Sequence, residues 1–197
     1  MQDSGNCYKV RLALTQLNLP YDCVEIDILK GESRTDEFTT KNLNGRVPTL
    51  QIDETTYLPE SNAILWYLAE GSTLIPEDRL SRARTLQWMF FEQYSHEPFI
   101  ATSRFWISIL KQPEAHAEQI ASKRAGGEAA LGVMENHLKS HNFFAGSAYS
   151  VADIALYAYT HVAAEGGFSL APYPAINDWL ARVKHQPGHI DINTRGY

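Results

Sequence analysis

An α/β unit followed by an all-helical one is the fold class this sequence predicts, and three observations carry it. Up to about Glu70 the apolar residues change period repeatedly, in the order helix, strand, helix, strand, strand, helix. From Asp78 onward the pattern is almost wholly helical, and the four tryptophans and ten tyrosines lie mostly after residue 65. Between the two halves, Gly71-Ser72-Thr73-Leu74-Ile75-Pro76 has the composition of a linker. The expected limits are a first domain over 1–70, a linker over 71–76 and a helical domain over 77–197.

Each element has its own signal. Val10, Leu12, Ala13, Leu14 and Leu17 form a helical stripe, which Asn18-Leu19-Pro20 ends. Tyr21 to Ile28 alternates in part through Cys23, Val24, Ile26 and Ile28 and predicts a strand. Ser33 to Asn42 predicts a short helix with Ser33 or Thr35 as its N-cap. Val47 to Ile52 and Thr55 to Leu58 pair around the turn Asp53-Glu54, and Glu60 to Glu70 follows as a helix. That order is a thioredoxin-like layout with its first strand largely missing. Only Met1, Gln2 and Asp3 precede Ser4, too few for a strand of ordinary length. The expectation is either a reading frame that starts late or a strand remnant from these residues beside Val47 to Leu50. The helical half breaks at Gln112-Pro113, His141-Asn142, Gly166-Gly167 and Pro172-Tyr173-Pro174.

Composition narrows the function. A formal charge of −6 argues against nucleic acid or an anionic membrane as the main partner, since a phosphate surface needs a basic face. No apolar run approaches the roughly 20 residues that span a bilayer, and no signal peptide opens the chain. Two cysteines, Cys7 and Cys23, make no disulfide framework and fit a reducing, cytoplasmic setting.

Two segments carry the chemistry. In Asn44-Gly45-Arg46-Val47-Pro48-Thr49-Leu50 a tight turn delivers a Val-Pro pair into a short strand. The residue before a proline is driven extended, so Val47 offers backbone groups to an extended peptide. Glu60 and Ser61 then open a helix, where side chains and the helix N-terminus together suit an amino-acid-like end and its carboxylate. Upstream, Ser4-Gly5-Asn6-Cys7-Tyr8-Lys9-Val10 sits at the start of the first helix, where the dipole and free N–H groups stabilise a thiolate. Ser4 and Asn6 are the candidate catalytic residues, and either also serves as a plain helix cap. Cys7, one turn on, reads as a structural thiol.

Taken together these motifs resemble the glutathione transferases, in a bacterial serine- or asparagine-type form, and the resemblance covers nearly the whole chain. It implies a cis Pro48, a Val47 backbone paired with glutathione's cysteinyl unit, and Glu60-Ser61 on the γ-glutamyl group. Ser4 or Asn6 would lower the pKa of the glutathione thiol. Glutathione's glycyl carboxylate needs a cation, and Arg46, Lys41 and Arg34 are the candidates. The resemblance further implies a cytoplasmic homodimer of detoxification, with glutathione as co-substrate and a small hydrophobic electrophile as partner. Tyr94, Phe99 and Arg104, in an aromatic-rich stretch with Phe105 and Trp106, are the expected electrophile pocket, against a reading of each as core packing.

Other patterns read as structure. Ser150-Val151-Ala152-Asp153 is a capping box in its Ser-x-x-Asp form. His137 and His141 share a helical face, but no third ligand accompanies them, so no metal is expected. Two rivals stand beside the transferase: a glutathione-dependent disulfide reductase or peroxidase on the same site, and a non-catalytic binding protein of the same fold.

Overall fold

In the computed structural model of the chain, residues 1–195 are described, and they divide into two compact units. The first comprises Met1–Ser72 together with the stretch that begins at Pro187; the second is Thr73–Gln186.

The first unit holds α1 (Gly5–Gln16), α2 (Asp36–Lys41), the strands β1 (Thr49–Gln51) and β2 (Tyr57–Pro59), and α3 (Ser61–Ala69). The helix α1 begins five residues before the apolar stripe, because Ser4 caps it: Cys7 N–H donates to Ser4 Oγ at 3.3 Å. Thr35 caps α2 through Phe38 N–H, as one of the two expected caps. The strands pair antiparallel with Leu50 opposite Leu58, and Asp53 Oδ1 closes their turn by accepting from Thr55 N and Thr56 N. Val10 and Leu14 of α1 pack on Ile64 of α3, with Leu50, Leu58, Leu68 and Tyr21 around them. Helical and alternating stripes thus converge on one small core.

Two expectations for this unit are corrected. Tyr21 to Ile28 forms no strand, and the sheet has two strands among the described residues. A strand needs a ladder partner. Here Val24 is 81% exposed, Asp27 N donates to Glu32 Oε2, and Asp27 Oδ1 caps a tight turn at Leu29 and Lys30. Nor do Met1 to Asp3 form a strand. The N-terminal ammonium and Gln2 N–H both reach Glu25 Oε1, at 2.9 and 2.7 Å, and Gln2 Nε2 donates to Ile192 O and Thr194 O.

A third difference concerns the far end of the chain. Residues 187–195, expected in the helical domain, pack with the first unit. Arg11 Nη2 donates to both Gln2 O and Ile192 O, and Tyr8 Oη donates to Ile190 O at 2.7 Å. Gly188, at φ 71°, passes so close to Gln16 that an added Cβ would lie 3.0 Å from its Cα. The last two residues of the expected helical domain, Gly196 and Tyr197, lie outside the described residues.

The second unit is helical: α4 (Arg79–Phe91), α5 (Glu97–Arg104), α6 (Ala117–Leu138), α7 (Val151–Thr160) and α8 (Pro174–Lys184). Wide i→i+5 turns over Glu92–His96 and Phe105–Ile109 bracket α5, closed by Glu97 N to Glu92 O and Leu110 N to Phe105 O. Every residue of α7 is buried, as an apolar helix at the centre of a bundle must be. The capping box is formed at its start, and Asp153 also accepts from Trp179 Nε1 of α8 and from Phe144 N. Among the described residues no helix is long and apolar enough to cross a membrane.

Candidate functional site

The start of α1 and the start of α3 meet. Both helices begin after irregular backbone and lie against each other through their apolar stripes, so the polar groups of their first turns converge. Ser61, the first residue of α3, is 5% exposed, and its hydroxyl donates to Asn6 Oδ1 at 3.2 Å. Beneath them lies Lys9, fully buried, whose Nζ donates to Ser61 Oγ and Asn62 Oδ1, both at 3.4 Å. Of the sequence candidates, Asn6 and Ser61 are therefore in direct contact. Ser4 lies two residues before Asn6, with its oxygen on Cys7 N. A hydroxyl that accepts there still has a proton to give to a thiol.

Glu60 stands at the bend before α3 with φ 69° and ψ 109°, a backbone conformation that side-chain-bearing residues rarely adopt. Such strain costs on the order of 1–3 kcal/mol and gathers where a site demands it. Its exposed side chain makes no capping hydrogen bond to α3. The N–H groups of a helix's first turn and the helix dipole suit a carboxylate.

The segment from Asn44 to Leu50 is held from behind. Buried Asn42 donates to Arg46 O at 2.7 Å and to Thr49 Oγ1, and accepts from Asn44 N. Gly45 takes φ 59°, and a Cβ there would come within 2.8 Å of Ser33 O and Arg34 Nη1. The Val47–Pro48 peptide is cis, and Val47 and Pro48 are half-buried. Among the three candidate cations, Arg34 donates to Asn44 O and Lys41 pairs with Glu37 at 2.9 Å. The exposed Arg46 side chain makes no hydrogen bond or ion pair among the described residues.

Part-buried Cys7 has its thiol pushed up by burial, which outweighs the pull of the N-terminal ammonium, the Ser4 hydroxyl and Arg11. That is the wrong direction for a nucleophilic thiolate.

Tyr94, Phe99 and Arg104 have separate surroundings in the helical unit. Tyr94 is 85% exposed. Phe99 packs over Gly126, and Lys123 Nζ stands 5.4 Å from its ring centre. Arg104 is buried and ion-paired, Nε to Glu165 Oε2 at 2.7 Å. His137 and His141 stack at 4.1 Å and bond to backbone oxygens of Phe143 and His137.

The residue that sequence reasoning missed is Lys9. A lysine between Tyr8 and Val10 reads as a solvated charge, yet its spacing of three from Asn6 puts both on one helical face. That spacing was the available signal.

This geometry is accompanied by clear kinship. The family model for the glutathione S-transferase N-terminal domain matches residues 3–70, and that for the C-terminal domain matches residues 88–187. The chain belongs to the glutathione S-transferase family. It is 51% identical to a possible glutathione S-transferase from Rhodopseudomonas palustris, whose crystal structure superposes with a TM-score of 0.97 over 99% of this chain and 88% of that one. A theta class glutathione S-transferase from Xanthomonas axonopodis pv. citri, solved with glutathione bound, is 26% identical at a TM-score of 0.85, over 95% of this chain and 91% of that one. Among curated proteins, the disulfide-bond oxidoreductase YfcG of Escherichia coli is 28% identical over 92% of this chain and 87% of its own length. The fold is thus the family's: a thioredoxin-like N-terminal domain and a helical C-terminal domain of a transferase enzyme.

Proposed function

We propose that this transferase binds glutathione at the junction of α1 and α3 and activates its thiol as a thiolate for attack on a small hydrophobic electrophile. The observation that carries the reading is the Ser61–Asn6 hydrogen bond, which joins a thiol-side group to a γ-glutamyl-side group at 3.2 Å. Glutathione lies extended and antiparallel to Val47, its γ-glutamyl end at Glu60, Ser61 and the start of α3. Its glycyl carboxylate goes to Arg46, the one of the three candidate cations with no internal bond among the described residues. Ser4 or Asn6 donates to the sulfur. A free thiol titrates near roughly 8.5, so a fall of about two units makes it mostly thiolate at neutral pH. The thiolate attacks the electrophilic carbon, its electron pair forms the C–S bond, and the displaced group leaves with the carbon's former bonding pair. Of Tyr94, Phe99 and Arg104, exposed Tyr94 is proposed to contact the electrophile, with Phe99 and Arg104 packing within the helical unit, and the enzyme is proposed to act as a cytoplasmic homodimer.

The test is titration calorimetry with glutathione, followed by conjugation to an aryl halide. Ser61→Ala should weaken glutathione binding by roughly 1–3 kcal/mol, the cost of a hydrogen bond to a charged group. Ser4→Ala or Asn6→Ala should lower turnover at neutral pH and recover in part as pH rises. Absence of glutathione binding by the unaltered protein overturns the reading.

A second reading is favoured by the kinship to YfcG: reduction of a disulfide by two glutathione molecules, giving two thiols and oxidised glutathione. The raised Cys7 thiol argues that exchange would then run through glutathione itself. Turnover of a small disulfide that outpaces aryl halide conjugation, and survives Cys7→Ser, would favour it.

A further inference from the structure

We propose that Lys9 is a positioning residue that aims the single proton of the Ser61 hydroxyl at the glutathione γ-glutamyl carboxylate. This rests on the glutathione reading above and goes beyond it. The Lys9 side chain is fully buried, and its Nζ donates to Ser61 Oγ and Asn62 Oδ1. A protonated lysine has three donors and no acceptor, whereas a serine hydroxyl has one proton and two acceptor sites. With Lys9 on its oxygen, Ser61 cannot point its proton toward α1's lysine and must point it elsewhere. Without ligand it points to Asn6 Oδ1 at 3.2 Å.

A carboxylate arriving at the start of α3 is a stronger acceptor than an amide oxygen, since hydrogen bonds to ionised groups are roughly twice as strong. The proton then turns from Asn6 to the carboxylate, with Lys9 still holding the oxygen. Two consequences follow. Glutathione recognition depends on Lys9 although Lys9 lies below the ligand surface. Binding of the γ-glutamyl end also draws the Ser61 proton away from Asn6 Oδ1, so the amide on the thiol side loses that bond in the same event. Asn62 holds Nζ from the other side and makes the aim directional.

The test compares two ligands. One is glutathione; the other is its analogue with 4-aminobutyryl in place of γ-glutamyl, which lacks the α-carboxylate. Lys9→Met should raise KM for glutathione about tenfold or more, the effect expected for a lost hydrogen bond to a charged group, and leave KM for the analogue within about twofold. Lys9→Met in a Ser61→Ala background should change KM for glutathione by less than about twofold, because Lys9 acts through that hydroxyl. Equal losses for both ligands, or effects of Lys9 and Ser61 that multiply, would overturn the proposal. Should Lys9→Met fail to fold by circular dichroism, Asn62→Ala, which leaves the lysine in place, should raise KM for glutathione about threefold and spare the analogue. An Asn62→Ala enzyme with unchanged or equally impaired KM values for both would count against it. If the unaltered enzyme binds neither ligand, it is the glutathione reading that fails.

Discussion

Replacing Asp153 by Asn tests the interior of the helical unit with a change of one atom. Asp153 is fully buried and accepts four hydrogen bonds: Phe144 N at 3.1 Å and Trp179 Nε1 at 2.9 Å on Oδ1, Ser150 N at 3.0 Å and Ser150 Oγ at 3.1 Å on Oδ2. An asparagine keeps one oxygen. If that oxygen stays with Phe144 and Trp179, the new NH2 faces the Ser150 hydroxyl, which can reverse, and the Ser150 N–H, which cannot. Two donors then face each other without an acceptor, the Ser150 N–H and the second amide hydrogen, at a cost of at least roughly 1–3 kcal/mol. Truncation to Ala orphans three N–H donors and leaves a cavity, which is a large share of a total stability of about 5–15 kcal/mol.

The pH dependence gives the sharper check. Burial pushes the Asp153 carboxyl up to about 6, from 3.8, against the pull of the donors around it. An acid whose pKa is raised by folding binds more protons native than unfolded in that window, so its contribution to stability rises as pH falls. The contribution is full below about 3.8 and is lost as pH rises through about 6. Between pH 7 and pH 5 the native protein gains about 1 kcal/mol from this group, a gain the Asn variant lacks. Urea titrations followed by tryptophan fluorescence should therefore show the Asp153→Asn penalty growing by about 1 kcal/mol at pH 5. A penalty that shrinks at pH 5, or is absent at both values, would refute the assignment of a largely neutral carboxyl in acid and a satisfied carboxylate at pH 7.

The helix α6 offers a contrast between two glycines. At Gly127 an added Cβ would lie 2.3 Å from the Phe168 ring, so Gly127→Ala should destabilise by roughly 1–3 kcal/mol despite better helix propensity. At Gly132 nothing stands within 4 Å, so Gly132→Ala should stabilise by up to about 1 kcal/mol; the same thermal melts read both. Arg11→Met removes the bonds to Gln2 O and Ile192 O and should expose both segments to limited proteolysis while residues 73–186 keep their resistance. Cys7→Ser should leave conjugation activity within about threefold, since a thiol pushed up by burial is inert at neutral pH, and a larger loss would show that Cys7 takes part.

The elements legible in the sequence are those whose apolar stripe meets a partner that the sequence also displays. Val10 and Leu14 find Ile64, and Leu50 finds Leu58, so α1, α3 and the strand pair fall where periodicity puts them. Tyr21 to Ile28 alternates as well, but alternation records a preference for a pleated surface, and a strand exists only beside another. The wide turns at Glu92–His96 and Phe105–Ile109 are not legible, because one extra residue slips the apolar stripe by about 100° and a stretch with aromatics on more than one face hides the slip. At the candidate site, the proposed residues Ser4, Asn6, Val47, Pro48, Glu60 and Ser61 stand out in the sequence by their position at turns and helix starts. Lys9 and Arg11 do not, because a cation's burial depends on oxygens supplied by residues far along the chain.

Those two cations tie the candidate site to backbone segments distant in sequence within the first unit. Lys9 and Arg11 are two residues apart on α1, so they leave the helix on nearly opposite sides. Lys9 engages Ser61 and Asn62 at the start of α3. Arg11 engages Gln2 O and Ile192 O, backbone carbonyls from near the two ends of the chain. Gln2 is two residues before Ser4, so the clasp made by Arg11 fixes the approach to the candidate catalytic turn from outside, while Lys9 fixes it from beneath. A buried cation has a cost that only nearby oxygens offset. Placing one on each side of α1 makes that helix's burial depend on the start of α3 and on the backbone at Gln2 and Ile192 together, which couples the geometry of the candidate site to segments that do not form it.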